Sequence, residues 1–158
     1  PRMGTHNRLL SLGPEAYFEL IAIDPAAPAP HRPRWFGLDG FRGAPRLVGW
    51  MARTTALRPP PGTSVSAQSR GDLRWQIALP EDGRPMAGGA LPMLIDWQGG
   101  THPAERLPDR GLRLARLALG FAGRWPDWAA TSDPRIEIGP GAVPLRALIE
   151  TPRGAVWL

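Results

Sequence analysis

The sequence predicts an α+β protein made of βαβββ modules, with mixed, mostly antiparallel sheets and an incomplete module at its amino-terminal end. Three observations predict this. Several short runs alternate apolar and polar residues, the period of a half-buried strand. The 158 residues include 19 Gly and 20 Pro, which interrupt helices and punctuate turns. The order strand, short helix, three strands recurs at an interval of roughly 50 residues, and a fixed-period repeat constrains a fold more than any single motif.

The elements follow in order. Residues 6–12 and 16–24 flank the turn Gly13-Pro14-Glu15 and read as a β-hairpin. Pro25, Pro28, Pro30, Pro33 and Pro45 make 25–45 a long loop, with Trp35 and Phe36 as its anchors into the core. Residues 46–54 (RLVGWMART) are a strand candidate, and 55–69, with three consecutive prolines, holds at most a short helix. In 72–80, Leu73, Trp75, Ile77 and Leu79 share one face; after the turn Glu81-Asp82-Gly83, residues 90–97 (ALPMLIDW) form a strand that pairs with it. From Gly111 the run GLRLARLALG alternates, 125–130 has room for a helical turn or two, 136–138 and 144–150 are extended, 151–154 is a turn and 155–158 is a last strand.

This divides the chain into a partial module at 1–45, a second at 46–110 and a third at 111–158, packed as one domain. The amino-terminal hairpin corresponds to the last two strands of a module. An isolated two-stranded hairpin is marginal in water, so it is expected to pair with the second module, with an upstream segment or with another copy, and a homodimer is the favoured outcome.

Composition removes much chemistry. There is no Cys, and all 19 basic residues are Arg. Disulfides, thiolate nucleophiles, Cys-ligated metals and Schiff-base or P-loop lysines are therefore excluded. Arg without Lys suggests a GC-rich bacterial genome. The net charge of +5 fits an anionic partner, but the Arg residues are dispersed and the common nucleic-acid-binding signatures are missing, which argues against nucleic acid. No run approaches the roughly 18 apolar residues of a membrane span and no secretion signal is visible. A cytoplasmic protein that does not engage membranes is expected.

The element order, with the segments GTHNRLLSLG, AYFELIAID, SRGDLRWQIALPEDG, LPMLIDWQGGTHPAERLPD and TPRG, resembles the glyoxalase-like members of the vicinal oxygen chelate superfamily. The resemblance implies a small-molecule cavity on the concave face of a curved sheet. It further implies a lyase, isomerase or dioxygenase activity, or non-catalytic sequestration of an apolar compound, with an anion or nucleic-acid binder as a third alternative. One divalent metal ion is the implied cofactor.

The candidate site residues carry the resemblance unevenly. Glu19 matches the position where metal-binding relatives place a carboxylate ligand. It lies on a stripe with Tyr17, Ile21 and Ile23, where a charge needs a partner: a metal, a ligand, or Arg8 across the hairpin. Metal-dependent relatives also place a His in the first strand of a module, and the candidate strand of the second module, Leu47-Val48-Gly49-Trp50, has none. Glu19 and His6 are the candidate bases. Thr5, His6 and Asn7 match a G-T-x-N element whose polar groups either orient a ligand in a cleft or serve turn chemistry. Arg70 and Asp72 flank Gly71 as a local pair, with Arg70 able to hold a carboxylate or enolate. Trp97, like Trp50 and Trp75, is core or cavity wall, and His102 is either a ligand and acid–base group or a structural residue.

Overall fold

Strand pairing in the computed structural model, which describes residues 3–158, follows from where the alternating runs meet tight turns. β1 (Thr5–Ser11) and β2 (Tyr17–Ile23) pair antiparallel in unbroken register, from Thr5 opposite Ile23 to Ser11 opposite Tyr17. The hairpin is a two-stranded sheet by itself. The expected pairing with the second module is corrected here: the hairpin docks by side chains, Ile21 against one core and Ala16 and Phe18 against the other. One backbone bond, from Leu114 N–H to the Leu12 carbonyl (3.4 Å), ties it to the later part of the chain.

The proline-rich loop anchors as expected. Trp35, Phe36 and Leu38 are buried in a 3-10 turn at Trp35–Gly40, and the Gly37 N–H donates to the Gly83 carbonyl at 2.8 Å. Gly83 is required there: its φ is +71°, and a Cβ would lie 2.3 Å from the Arg34 carbonyl oxygen.

The first four-stranded sheet contains β3 (Met51–Arg53), β4 (Thr63–Arg70), β5 (Leu73–Pro80) and β6 (Met93–Asp96), in the order β3-β6-β5-β4. β3 runs parallel to β6 and the other neighbours are antiparallel. β4 corrects the reading of 55–69 as at most a short helix. Its sequence, TSVSAQSR, has little apolar content because it is a sheet edge with largely exposed alternate residues. It pairs with β5 from Thr63–Pro80 to Arg70–Leu73 and closes on the two-residue turn Gly71-Asp72, where Gly71 takes φ +60°. Between β3 and β4 there is no helix.

The second sheet contains β7 (Arg113–Gly120), β8 (Ile136–Gly139), β9 (Leu145–Thr151) and β10 (Gly154–Trp157), in the order β10-β9-β7-β8. β7 and β8 are parallel, and the β7–β9 pairing carries an irregularity between Leu114 and Arg116. The segment 125–130 makes one 3-10 turn, Asp127–Ala129, pinned by the Trp125 indole donating to the Ala129 carbonyl at 2.9 Å. Among the described residues the only α-helix is α1 (Pro103–Arg106), a single turn. The protein is thus rich in strands with few, short helices, as the density of Pro and Gly predicts. No helix among the described residues is long and apolar enough to cross a membrane.

Each sheet builds its own core. Ile77, Leu79 and Met93 gather with Trp35, Phe36 and Leu38 on the first, and Leu117, Leu119, Leu145 and Ile149 with Leu12 on the second. The hairpin touches both.

Candidate functional site

Because β2 alternates, the hairpin presents different chemistry to the two cores. Tyr17, Glu19 and Ile21 are half-buried, and Tyr17 and Glu19 stand where two cavities meet. The larger has a volume of about 430 Å³ and the smaller about 100 Å³. Both are bounded by Tyr17, Glu19, Phe36, Met51, Ile95 and Trp97.

Glu19 is held by Asn7, whose side-chain N–H donates to Glu19 Oε1 at 2.5 Å. The register explains the pair. Asn7 lies opposite Ile21 and Glu19 opposite Leu9, so the two are diagonal neighbours on one face of the hairpin. The Arg70 guanidinium, arriving from the end of β4, donates in turn to Asn7 Oδ1. Arg8, the alternative partner, lies opposite Leu20 and is exposed on the other face.

Burial pushes the Glu19 carboxyl above its ordinary range, and the Asn7 hydrogen bond and Arg70 charge only partly oppose this. The Tyr17 phenol is pushed up by burial first and by the Glu19 carboxylate second, against Arg70. Glu19 is therefore a carboxyl that holds its proton to higher pH than a solvated one, beside a phenol that stays protonated.

His102 completes the wall. It is buried at 7% exposure and caps α1, with its ring Nδ1 accepting from the Ala104 N–H at 3.4 Å and its backbone N–H donating to Glu105 Oε1 at 3.2 Å. An accepting Nδ1 places the proton of the neutral ring on Nε2. Burial, and then the Arg53 charge, lower its pKa against the pull of Glu105. Its ring stands 5.4 Å from that of Tyr17 and 5.8 Å from that of Trp97, the latter nearly perpendicular. The Trp97 ring borders both cavities, whereas its Nε1–H is buried away from them without a partner.

The remaining sequence candidates lie apart. Thr5 is buried with its hydroxyl unpartnered, and it borders neither cavity. His6 is exposed on the face opposite Asn7. Asp72 does not pair with Arg70: at the turn apex it meets Arg106 of α1, and Arg70 is drawn away to Asn7. Ile23 is 39% exposed and leaves the stripe.

Sequence reasoning assigned no role to Tyr17, although its place on the Glu19 stripe was visible. It also missed Asp133 and Arg135, a half-buried pair (2.5 Å) that borders the larger cavity together with Glu15.

The residues present do not fit a metal ion. Among the described residues no three His, Asp or Glu side chains are gathered closely enough to ligate one. The carboxylate oxygen that faces Asn7 is already committed, the Nδ1 of His102 is spent on the helix cap, and the charge that Glu19 feels is the cation of Arg70.

A family model described as a glyoxalase-like domain matches residues 1–131 of the chain. No curated protein and no solved structure matches it significantly.

Proposed function

The chain belongs to the glyoxalase-like domain family, and from that premise we propose that it binds a small organic oxo compound at Glu19 and moves a proton on it. The observation that carries this reading is the meeting, beside the smaller cavity, of a half-buried carboxyl and a guanidinium linked through Asn7. A carboxyl with a raised pKa suits proton transfer near neutrality. Arg70 supplies positive charge and donors where oxygen charge would build up, which is the part a metal plays in metal-dependent relatives.

In this reading the Glu19 carboxylate takes the proton from a carbon next to a carbonyl. The C–H pair moves into the enolate, whose oxygen is held by Arg70, and Glu19 returns the proton. Trp75, Trp97 and Ile95 provide the apolar seat for the rest of the molecule. The second reading, sequestration without chemistry, is favoured by the predominance of aromatic and aliphatic walls around that junction.

Phenylpyruvate, which joins an aromatic ring to a carbonyl with acidic neighbouring hydrogens, separates the readings. Wild-type protein is expected to bind it and to accelerate deuterium exchange at its methylene above the buffer rate. Glu19→Gln is expected to keep binding and lose about 100-fold or more of that acceleration. Binding without exchange in the wild type selects sequestration, and absence of binding refutes the site.

A further inference from the structure

We propose that Arg53 and His102 form a carboxylate subsite on the wall of the larger cavity, and that the ligand of the Glu19 site is therefore an oxo acid whose carboxylate is remote from the carbonyl that reacts. The carbonyl half of this statement rests on the ligand reading above, and the carboxylate half on Arg53 and His102 alone. Three arginines border the two cavities, Arg53 and Arg135 the larger and Arg70 the smaller. Arg135 is spent on Asp133, and Arg70 donates to Asn7. Arg53 makes no ion pair among the described residues.

The backbone aims Arg53 at the cavity. Met51 and Arg53 share a face of β3, and in the parallel register Arg53 stands opposite Ile95. Met51 and Ile95 both border the two cavities, so the Arg53 side chain leaves β3 on the cavity side, exposed at the rim. His102 supplies the second donor. Its Nδ1 is spent on the α1 cap, which leaves the ring proton on Nε2. Nε2 is neither hydrogen-bonded nor sealed from solvent among the described residues, and the buried ring borders the larger cavity, so that proton opens into it. The Arg53 charge is close enough to disfavour a second ring proton, which keeps the pair a cation beside a neutral N–H donor.

The donors define the ligand group. A guanidinium fork and one N–H match the two oxygens of a carboxylate, and a single unmatched positive charge suits that monoanion and not a phosphate dianion. Tyr17 sets the span. Its ring lies 5.4 Å from that of His102, and it precedes Glu19 by one same-face step of β2, about 7 Å. A carboxylate at Arg53 and a reacting carbon at Glu19 are thus separated by a spacer the size of a benzene ring and not by a single bond.

The experiment is calorimetric titration of the full chain with para-acetylbenzoate, its neutral amide, ortho-acetylbenzoate, and para-isopropylbenzoate, which has no carbonyl. The para-acetyl acid is expected to bind at least about tenfold tighter than its amide, and tighter than the ortho isomer, where the two groups are adjacent. That advantage over the amide is expected to be lost in Arg53→Gln, partly kept in Arg53→Lys, reduced in His102→Asn and untouched in Arg8→Gln, whose side chain lies exposed on the other face of the hairpin. The Nε2 nitrogen resonance of His102 is expected to shift with the acid and not with the amide. No advantage of acid over amide, or an advantage that falls equally in Arg53→Gln and Arg8→Gln, overturns the subsite, and equal binding of the two isomers overturns the span. Failure of the ligand reading looks different: no deuterium exchange at the acetyl methyl, with Arg53-dependent binding of para-isopropylbenzoate intact, removes the proton transfer and keeps the carboxylate subsite.

Discussion

The two four-stranded sheets contain the same succession of elements, a strand, an irregular connection and three more strands, yet they are laid out differently. In the first, the opening strand β3 lies parallel beside the closing strand β6, and the β4–β5 hairpin forms the far edge. In the second, β7 takes the interior, parallel to β8, and the β9–β10 hairpin hangs off the other side. Burial follows the layout. β6 is nearly buried throughout, β9 alternates, and β10 is exposed along its whole length. The chemistry is just as one-sided: Arg70, Trp97 and His102 come from or beside the first sheet, whereas the second offers the site an apolar wall and the Asp133–Arg135 pair. A linear repeat thus sets the order of elements without setting which strand occupies the centre.

The contrast makes graded predictions. Ile77, 1% exposed in the first core, is expected to lose about 2–5 kcal/mol on Ile77→Ala. Val156→Ala in β10, at 49% exposure, is expected to stay within about 0.5 kcal/mol. Equal shifts of the urea midpoint in the two variants would erase the distinction between the sheets.

The next effect is on pH dependence. The folded pKa of His102 lies below its ordinary value, so the fold favours the neutral ring. That contribution is present above about pH 6.5 and is lost as pH falls through the folded value. His102→Asn retains a capping side chain and is expected to flatten the acid side of the Tm–pH curve without a large loss at pH 8. Glu19 has the opposite sign: its raised pKa gives stability that is lost as pH rises through that value, and Glu19→Gln is expected to remove this slope.

The smallest effect belongs to the second sheet's side. Arg135 holds the Asp133 carboxyl below its usual range by hydrogen bonding, so its contribution is present at neutral pH and is lost only in acid. Asp133→Asn is expected to cost about 0.5 kcal/mol in low salt, and less as salt screens the pair. A cost comparable to that of Ile77→Ala would assign this polar pair a structural weight that the exposure of its members does not suggest.

How much was legible in the sequence depends on how strongly each residue's partner was specified locally. β5 was readable because Leu73, Trp75, Ile77 and Leu79 alternate over a full strand, and Trp35 and Phe36 were readable as anchors because large aromatics in a proline-rich loop have nowhere else to go. β4 was not, since Ser64, Ser66 and Ser69 carry no apolar signal at an exposed edge. Its cue was the Gly71 turn before a strong strand.

At the site, the need of Glu19 for a partner was legible, but the partner was not. Choosing Asn7 over Arg8 requires the hairpin register, and recruiting Arg70 requires a contact between residues far apart in the chain. His102 was left open between ligand and structural residue. Its capping bonds are read from Pro103 and Glu105 once the short helix is known.

The parallel pairing of β3 with β6 has a kinetic consequence. Met51 meets Met93 only after the chain has passed through β4 and β5, so the contact closes a long loop, whereas β4 and β5 meet across two residues. Entropy orders these events: the short hairpin zips first, β6 adds to it, and β3, just three residues long, is captured last. Substitutions in β3 should then leave the refolding rate nearly untouched and speed unfolding, while substitutions in the β4–β5 hairpin slow refolding.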